Sequence, residues 1–485
     1  MAERLKVVVI DDDPTGSQTV HSAPLLLRWD AASLTAGLRH PSPLLFLLAN
    51  TRALAPAEAA ARVAAICRAL RPVLERALAA GWIERWLIVC RGDSTLRGHF
   101  PLEVDQIAAE LGPFDATLLV PAFLPGGRTT VAGLHLLHGQ PVHTTPFAAD
   151  GLFAYPSSHL PAWVEHKSGG RIPAAAVQSI GLAELDAAAA GLAGAGDGLS
   201  ALCARLSALS DQSVVAVDAE RPEQLAALGA AVRAVTDPTA ASPRRLLFQS
   251  AASLLNGLVP LPPQPLDAAG LAGLRRRDAA GAHLPGLVLV GSHVPLADAQ
   301  LETLLQEPGC RGLELPVAQL ARLLDGPEPE VLLASLERSW REQLQQRLDL
   351  GVTPVLYTSR GEISCASAAA RRRLGLALAG LMARLAAALA PQLGYLISKG
   401  GITTHTLLAD GFGLAAVELQ GQLFAGLSVV LTPPLPPCAA LPVITFPGNL
   451  GDALSLRQAW MLMESGAAAA SADPLQPPAS GPAGC

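Results

Sequence analysis

Short apolar runs alternate along the chain with longer segments in which Ala and Leu recur at helical spacing. Runs of four or five aliphatic residues bounded by turn residues are typical of strands buried on both faces of a sheet. The alternation predicts an α/β protein of two domains, each a mostly parallel sheet flanked by helices. The predicted strands are Lys6–Ile10, Leu44–Leu48, Trp86–Cys90, Thr117–Val120, Val214–Val217, Leu287–Val290, Pro354–Tyr357, Gly394–Ile397, Ala415–Glu418 and Val443–Phe446.

Breaks in this pattern divide the chain. A length of 485 residues exceeds what one hydrophobic core normally serves. Residues 258–267 contain four prolines without periodicity, which is typical of a linker. We therefore predict a larger N-terminal domain over 1–257, a linker over 258–267 and a smaller C-terminal domain over 268–465. Residues 466–485 are mostly Ala, Ser, Gly and Pro and are predicted to be a disordered tail.

Composition excludes several classes of protein. Half of the residues are apolar, but the most apolar stretch, Leu374–Ile397, is interrupted by Arg384 and Pro391 and predicts a buried helix followed by a strand. We expect no membrane span, no secretory leader and a cytoplasmic protein. A formal charge of −6 gives no general attraction to nucleic acid or anionic lipid. Seven scattered cysteines without CxxC spacing argue against a disulfide framework or a structural zinc site.

Polar side chains follow the first strands of the chain at the point where each strand ends. The first strand runs into Asp11, Asp12 and Asp13, and later strands run into the segments 50–52, 91–99 and 121–130. Ligands of open α/β sheets bind beyond the carboxyl ends of the strands. Arginine forks in these turns suit a carboxylate or phosphate, and the hydroxyls and aspartates suit a polyhydroxylated partner. The first domain therefore predicts a pocket for a small sugar acid.

Glycine turns follow the strands of the second domain. Gly291–Val294, Ser398–Thr404 and Phe446–Asp452 each come directly after a predicted strand. A Gly-Gly turn that opens a helix exposes backbone N–H groups suited to phosphate, and Lys399 can add a charge. The GxxxxGK[ST] spacing of a P-loop is absent, so these turns indicate a nucleotide site of another type.

The ordered set of motifs resembles the four-carbon acid sugar kinases over nearly the whole chain apart from the tail. The motifs are Asp12–Gly16, Arg91–Gly98, Gly127–Thr130, Gly291–Val294, Gly400–Thr403 and Gly448–Gly451. The resemblance implies that the first domain binds the acid sugar, that the second binds ATP, and that the γ-phosphoryl group passes to a hydroxyl of a threonate- or erythronate-like acid or its oxo derivative. The sequence departs from the commoner family pattern at Arg91, Ile402 and Pro447.

This resemblance and the chemistry of phosphoryl transfer give each candidate residue a hypothetical role. Asp13 is predicted to accept the proton of the attacking hydroxyl, and Asp12 or Asp93 could take that role instead. Mg²⁺ is predicted to bridge the phosphates, with no protein ligand assigned. Substrate binding is predicted for Asp12, Arg52, Arg91, Asp93, Ser94, Thr95, Arg97 and Arg128. ATP binding is predicted for Ser292, Lys399, Gly400, Gly401, Ile402, Thr403, Gly448 and Asn449.

Other interpretations of these residues stay open. Asp11 and Asp13 fit the DxDxT pattern of a haloacid-dehalogenase-like phosphatase, with Asp11 as nucleophile. A non-catalytic sensor of sugar acids or nucleotides is the other alternative. Arg91, Asp93 and Arg97 could form a structural ion-pair network, and Lys399 could be a solvated surface residue. Homo-oligomerisation is left open.

Overall fold

The predicted apolar runs form strands in the computed structural model, which describes residues 4–324, 326, 329–361 and 368–465. The predicted tail over 466–485 lies outside the described residues. The strands are β1 Leu5–Asp11, β2 Ala23–Leu26, β3 Leu44–Leu48, β4 Arg85–Arg91, β5 Ala116–Val120, β6 Arg128–Val131, β7 Leu134–Leu137, β8 Gln140–Pro141, β9 Gln178–Ile180, β10 Ser213–Val217, β11 Leu246–Ser250, β12 Gly286–Val290, β13 Cys310–Leu315, β14 Thr353–Thr358, β15 Tyr395–Lys399, β16 Ala416–Phe424, β17 Leu427–Leu431 and β18 Pro442–Phe446.

Helices connect most of these strands and begin at recognisable signals. The side chain of Asp30 accepts the backbone N–H groups of Ala32 and Ser33 and so caps α1. The helices are α1 Ala31–Arg39, α2 Pro56–Ala79, α3 Leu102–Leu111, α4 Leu160–Lys167, α5 Leu182–Leu192, α6 Gly198–Ser207, α7 Pro222–Val235, α8 Ser253–Leu258, α9 Ala268–Ala272, α10 Pro295–Leu305, α11 Val317–Leu324, α12 Pro329–Asp349, α13 Ala368–Leu389, α14 Gly401–Thr406 and α15 Ser455–Ser465.

One continuous sheet of fifteen strands runs through the protein, in the order β13-β14-β12-β15-β18-β17-β16-β2-β3-β1-β4-β11-β5-β10-β9. Neighbouring strands are parallel toward both ends of the sheet. In its middle, β2–β16, β16–β17 and β17–β18 pair antiparallel. The α/β architecture with a mostly parallel sheet is thereby confirmed. The strands β6, β7 and β8 form a separate antiparallel sheet.

The two predicted sheets are joined edge to edge. Residues Ala416–Leu419 of β16 pair with Ala23–Leu26 of β2. The other side of β2 pairs with β3, so β2 joins the second half of the sheet to the first. An uncovered edge would present unpaired backbone groups, and this pairing satisfies them. The four residues of β2 carry too little pattern to be recognised as a strand in the sequence. The domain limits 1–257 and 268–465 remain a proposal.

The strands β1, β3, β4, β11 and β12 are buried along nearly their whole length, as strands covered by helices on both faces must be. Strands predicted from such runs match the structure to within one or two residues at each end, except that β16 extends to Phe424. The short or peripheral strands β2, β6–β9, β13 and β17, and the buried strand β11, were not predicted.

The most apolar stretch forms α13 followed by β15, as predicted. By length and composition, residues Ala370–Gln392 could cross a membrane, and half of that stretch is buried inside the protein. In the described part of the chain it is the one helix that meets this criterion. The cysteines Cys67, Cys90, Cys203, Cys310 and Cys438 are free thiols.

Candidate functional site

The carboxyl ends of β3, β1 and β4 meet because these strands are neighbours in the sheet. The backbone N–H of Asp12 donates to the carbonyl of Arg91 at 3.2 Å, and that of Arg52 donates to the carbonyl of Asp12 at 3.3 Å. The turns that follow these three strands are therefore held together by backbone hydrogen bonds. The sequence prediction that their polar side chains converge is consistent with this geometry.

Two of the predicted substrate-binding arginines are engaged with the protein's own carboxylates. Arg52 binds Asp12 through Nε at 2.9 Å and Nη2 at 2.6 Å, and its Nη1 lies 3.4 Å from Asp13. Nη1 of Arg91 lies 3.4 Å from both Asp11 and Asp12 and is buried with them. Such pairing fixes the aspartates in place, although both arginines still line the cleft and Nε of Arg91 is buried without a hydrogen-bond partner.

Asp11 is enclosed beneath this network. Its side chain is 1% exposed, and burial raises its pKa to about 7 against the opposing effect of Arg91. Its Oδ1 accepts the backbone N–H of Asp13 at 3.2 Å. Gly16 lies directly against the Asp11 carboxylate and Arg91, where a side chain would not fit. Asp11 therefore contacts the protein on all sides and no open space.

Asp13 is the member of the acidic run that faces the cleft. Its Oδ1 accepts the backbone N–H of Thr15 at 2.8 Å and the Thr15 hydroxyl at 2.5 Å. Burial favours the neutral acid, but Arg52 and the Thr15 hydrogen bonds outweigh this effect and hold the pKa of Asp13 below its usual range. The carboxylate is therefore ionised at neutral pH, and its side chain is 19% exposed.

The turn after β4 places Asp93 beside Arg97. Nε of Arg97 donates to Asp93 Oδ2 at 2.6 Å, and the Thr95 hydroxyl donates to the same oxygen. Thr95 is fully buried, and its carbonyl accepts the Tyr155 hydroxyl at 2.6 Å. The carbonyl of Ser94 is hydrogen-bonded to Nε2 of His135 at 2.8 Å. Thr95 thus supports Asp93 instead of facing the cleft, whereas Ser94 lines it.

The turns that follow β1, β3 and β4 form one wall of the cleft. Residues 146–150, between β8 and α4, extend this wall. Arg97 lies over the ring of Phe147 at 5.1 Å and 3.7 Å from Asp150. The sequence analysis missed Phe147 and Asp150 because they follow no strand and belong to no motif. Their contact with Arg97 depends on the folding of a long segment back over the sheet edge, for which the local sequence gives no signal.

Arg128 differs from the other arginines of the cleft. Its guanidinium lies over the Phe123 ring at 5.7 Å and donates to the carbonyl of Gly126, while its Nε is buried without a hydrogen-bond partner. Within the described residues it forms no ion pair with a carboxylate. Asp93 acts on its charge from a longer range, and the absence of a direct ion pair leaves the guanidinium available to an anionic ligand.

Glu103 of α3 supports the wall from behind and was also missed. Its side chain is buried and accepts the Thr51 hydroxyl at 2.5 Å. Burial and the nearby Asp12 charge raise the pKa of Glu103 to about 7. An acidic residue in the first turn of a helix is usually explained by the helix dipole, so it carries no signal that it will be buried.

The glycine turns of the second half form the opposite wall. Gly400 has a φ of +116°, and a Cβ on it would lie 3.3 Å from the backbone nitrogen of Ser292. A Cβ on Gly448 would lie 2.7 Å from the Ser292 hydroxyl. These close approaches require glycine and bring together the turns after β12, β15 and β18. Thr403 is buried with its hydroxyl against Gly291.

Lys399 is fully buried, which excludes the alternative that it is a solvated surface residue. Its Nζ donates to the carbonyls of Pro447 at 3.0 Å and Gly448 at 3.3 Å. Burial, together with the charge of Arg360, lowers its pKa to about 7. Gln300 holds the next part of the same turn by donating to the carbonyls of Leu450 and Asp452. These side chains fix the turn from behind.

The two walls enclose a cleft of about 760 Å³. Of the predicted residues, the cleft is lined by Asp13, Arg52, Arg91, Asp93, Ser94, Arg97, Arg128, Gly401, Ile402, Gly448 and Asn449. The predicted residues that lie behind it are Asp12, Thr95, Ser292, Lys399, Gly400 and Thr403. A volume of this size suits two small ligands or one large one. Within the described residues, no group of three or more His, Cys, Asp or Glu could hold a metal ion.

Two protein-family models match the chain. One, described as a sugar-binding N-terminal domain, matches residues 7–258, and the other, described as a nucleotide-binding C-terminal domain, matches residues 287–456. The fold and the models define an α/β protein with a sugar-binding and a nucleotide-binding part. The chain belongs to the four-carbon acid sugar kinase family.

Curated relatives are similar to this chain at modest identity. A D-erythronate kinase of Heliobacterium modesticaldum is 34% identical over 155 residues, which cover 30% of this chain and 32% of that protein. A D-threonate kinase of Bordetella bronchiseptica is 32% identical over 162 residues, covering 32% and 37%. The matched segments thus span about a third of these two relatives. A D-threonate kinase of Cupriavidus necator is 26% identical over 385 residues, covering 76% and 78%.

Solved structures share the fold. A protein of Salmonella typhimurium LT2 has a TM-score of 0.61 at 18% identity, over 93% of this chain and 98% of that one. The Haemophilus influenzae protein HI1011 has a TM-score of 0.55 at 17% identity, over 94% of this chain and all of that one. At these identities the likeness concerns the fold alone.

Proposed function

We propose that the chain is an ATP-dependent kinase that phosphorylates a hydroxyl of a four-carbon acid sugar, either a threonate- or erythronate-like acid or its oxo derivative. The observation that carries the proposal is the position of Asp13 against Gly401. A Cβ on Gly401 would lie 2.9 Å from Oδ2 of Asp13. An ionised carboxylate of the sugar-binding half therefore meets a glycine turn of the nucleotide-binding half, as transfer between two bound ligands requires.

Arg128 supports the acceptor side of this proposal. A carboxylate bound there would gain a charge-assisted hydrogen bond from a guanidinium that has no acidic partner. Arg97, held by Asp93 and Asp150, would extend the site. Arg52 and Arg91 act indirectly in this scheme because they fix the aspartates instead of binding the substrate. This shifts the predicted carboxylate site toward Arg128.

The glycine turns support the donor side. Lys399 and Gln300 bind carbonyl oxygens of the Pro447–Asp452 turn from behind. Carbonyls turned away from the cleft leave its open side to backbone N–H groups, which suit the phosphates of ATP. Lys399 would therefore position the turn and not contact phosphate directly.

Mg²⁺ fits this cleft as an ion carried by the nucleotide. Mg²⁺ keeps several waters and is usually held by phosphate oxygens and one or two carboxylates. Asp13 is the carboxylate of the cleft nearest to the glycine turn. When bound, the ion would neutralise charge on the phosphates.

The residues of the chain then supply alignment and a proton acceptor. The substrate hydroxyl oxygen forms a bond to the γ-phosphorus, the bond from that phosphorus to the β–γ bridging oxygen breaks, and ADP leaves. Asp13 takes the hydroxyl proton. Because such transfer needs little covalent help, holding the acid at Arg128 and the hydroxyl at Asp13 is the main contribution of the chain.

The burial of Asp11 argues against the phosphatase alternative. A nucleophile of that class must reach a phosphate, and Asp11 is 1% exposed beneath Arg91. The experiment that tests the proposal incubates the purified protein with ATP, Mg²⁺ and a panel of four-carbon sugar acids. Acid-dependent ADP formation supports the kinase. Phosphate release from sugar phosphates without ATP would support the phosphatase, and ligand-induced thermal shifts without either reaction would support a sensor.

A further inference from the structure

A buried histidine, His135, connects two elements of the cleft wall that carries Arg128. His135 lies on β7 directly opposite Thr130 of β6, and both side chains are fully buried. Its Nδ1 lies 2.9 Å from the Thr130 hydroxyl, and its Nε2 lies 2.8 Å from the carbonyl oxygen of Ser94 in the turn after β4. One imidazole ring therefore joins the β6–β7 hairpin to that turn.

The two partners of the ring fix its protonation state. A carbonyl oxygen can only accept, so Nε2 of His135 carries the proton and donates to Ser94. Nδ1 is then the acceptor for the hydroxyl of Thr130. Burial lowers the pKa of His135 to about 4, so the ring is neutral at neutral pH. An apolar residue at this position would leave both buried partners without a hydrogen bond, which is unfavourable.

Each partner stands close to a residue of the proposed acid site. Thr130 is two positions after Arg128 on β6, and side chains two positions apart on a strand point to the same face. Ser94 directly follows Asp93, whose carboxylate holds Arg97. A shift of either partner would therefore move a charged side chain that lines the cleft.

Other contacts hold the same hairpin to different strands. The carboxylate of Asp218, which follows β10, accepts two backbone N–H groups of the turn between β6 and β7. Backbone hydrogen bonds of 3.0 Å join Arg128 to Phe123, which follows β5. These contacts hold the hairpin to the ends of β10 and β5, whereas His135 holds it to the turn after β4. The position of Arg128 relative to Asp93 thus depends on the histidine.

We propose that His135 is a positioning residue for the acceptor, because it sets the distance between Arg128 and the turn that carries Asp93. The ring does not line the cleft, so it acts through Arg128 instead of touching the substrate. This inference rests on the proposed kinase function, in which Arg128 holds the carboxylate of the acid.

The test measures kcat and the KM values for the acid and for ATP, with threonate and erythronate as acids. His135→Phe removes both hydrogen bonds and keeps an aromatic ring. We expect it to raise KM for the acid about tenfold and to leave KM for ATP unchanged. In an Arg128→Met background the same change should raise KM for the acid by less than about twofold, because the side chain through which His135 acts is gone.

His135→Gln is the conservative variant, because its amide can donate to Ser94 and accept from Thr130. It should restore most of the affinity for the acid. Thr130→Val keeps the ring and removes one of its partners, so it tests the same link if His135→Phe does not fold. It should raise KM for the acid without changing KM for ATP.

His21→Phe is the matched control. His21 is also buried, and its ring nitrogens contact the Ser22 hydroxyl and the Pro262 carbonyl, but it does not line the cleft. This variant should lower the melting temperature and leave KM for the acid unchanged. A general loss of stability would thereby be separated from a loss of positioning.

The proposal is overturned if His135→Phe raises KM for the acid and for ATP alike, or raises neither. It is also overturned if the effects of His135→Phe and Arg128→Met on KM for the acid are independent of each other. ADP formation with neither acid would count against the kinase function itself. Calorimetric titration of the acids into the same variants then decides the inference, since coupled effects on affinity support it and independent effects or no binding overturn it.

Discussion

Gly401 and Asp13 meet across the cleft so closely that a Cβ on Gly401 would lie 2.9 Å from Oδ2 of Asp13. The carboxylate belongs to the turn after β1 and the glycine to the turn after β15, almost 400 residues away. The contact therefore couples the two halves of the protein at the point where we propose that transfer takes place.

The first prediction concerns Gly401→Ala. Gly401 does not have a left-handed φ, so its backbone accepts Ala, but the added methyl group must displace Asp13. We expect turnover to fall about 10²-fold, the effect of a misplacement of about 1 Å, with little change in melting temperature. Gly375→Ala, in α13 at a site with open space within 4 Å, is the control and should leave turnover unchanged. Normal turnover in Gly401→Ala would show that the position of Asp13 does not matter for the reaction.

The second prediction distinguishes Asp13 from Asp12. Asp13→Asn should lower kcat about 10²-fold or more while KM for the acid stays near the wild-type value, since it removes the proton acceptor. Asp12→Asn should instead destabilise the protein by about 3 kcal/mol, because Asp12 is buried between Arg52 and Arg91. Steady-state kinetics and urea unfolding of both variants measure this difference. Near-normal turnover in Asp13→Asn would exclude it as the base.

The third prediction concerns the carboxylate of the substrate. Arg128→Met should raise KM for the acid about 10- to 100-fold, corresponding to a charge-assisted hydrogen bond, and leave KM for ATP unchanged. Methionine keeps an apolar stem over Phe123. Arg52→Met should instead lower stability, because it leaves the buried Asp12 carboxylate without this ion-pair partner. An unchanged KM for the acid in Arg128→Met would show that Arg128 does not bind the substrate carboxylate.

The fourth prediction concerns Lys399→Met. This change removes the donor to the Pro447 and Gly448 carbonyls, so the glycine turn should loosen. We expect KM for ATP to rise about tenfold without an effect on KM for the acid. Calorimetric titration of ATP checks the affinity directly. Unchanged ATP affinity with a large loss of kcat would indicate that Lys399 reaches the transferred phosphate.

The fifth prediction is a pH dependence of stability from Glu103. Its pKa is about 7 in the folded protein and 4.5 as the ordinary value, so between these values the folded state binds more protons than the unfolded state. The free energy of unfolding therefore falls as pH rises through this window, by at most about 3 kcal/mol from this group. Glu103→Gln keeps the Thr51 hydrogen bond and should lessen that decline in urea titrations between about pH 5 and pH 8, while Asp11, whose pKa burial also raises to about 7, still contributes to it. An unchanged slope would mean that Glu103 is ionised when folded.

The sequence predicts those features of the fold and site that depend only on one strand and the turn that follows it. The residues Val7–Val9 and Leu44–Leu48 are apolar enough to predict buried parallel strands, and of the polar residues that follow them Asp13, Asn50 and Arg52 line the cleft. It was uninformative where a role depends on a distant partner. Lys399 was predicted to bind ATP, and no pattern in the sequence indicates that it donates to the Pro447 carbonyl 48 residues away. Arg52 was predicted to bind substrate, and no pattern in the sequence indicates its pairing with Asp12.

The structure also shows why the joining of the two halves could not be predicted. The strand β2 has four residues, and its pairing with β16 links segments about 400 positions apart. Loops such as 146–150 reach the cleft only because of such long-range contacts. Periodicity describes an element and its own faces, and it carries no information about which elements meet.

The measurement that tests the central claim most directly is identification of the product by phosphorus NMR and mass spectrometry after incubation with ATP, Mg²⁺ and a hydroxylated four-carbon acid. The account predicts a phosphomonoester of the acid formed in equal amount with ADP, and its loss in Asp13→Asn. Formation of inorganic phosphate and ADP without a phosphorylated acid, or of the same product at an undiminished rate in Asp13→Asn, would contradict it.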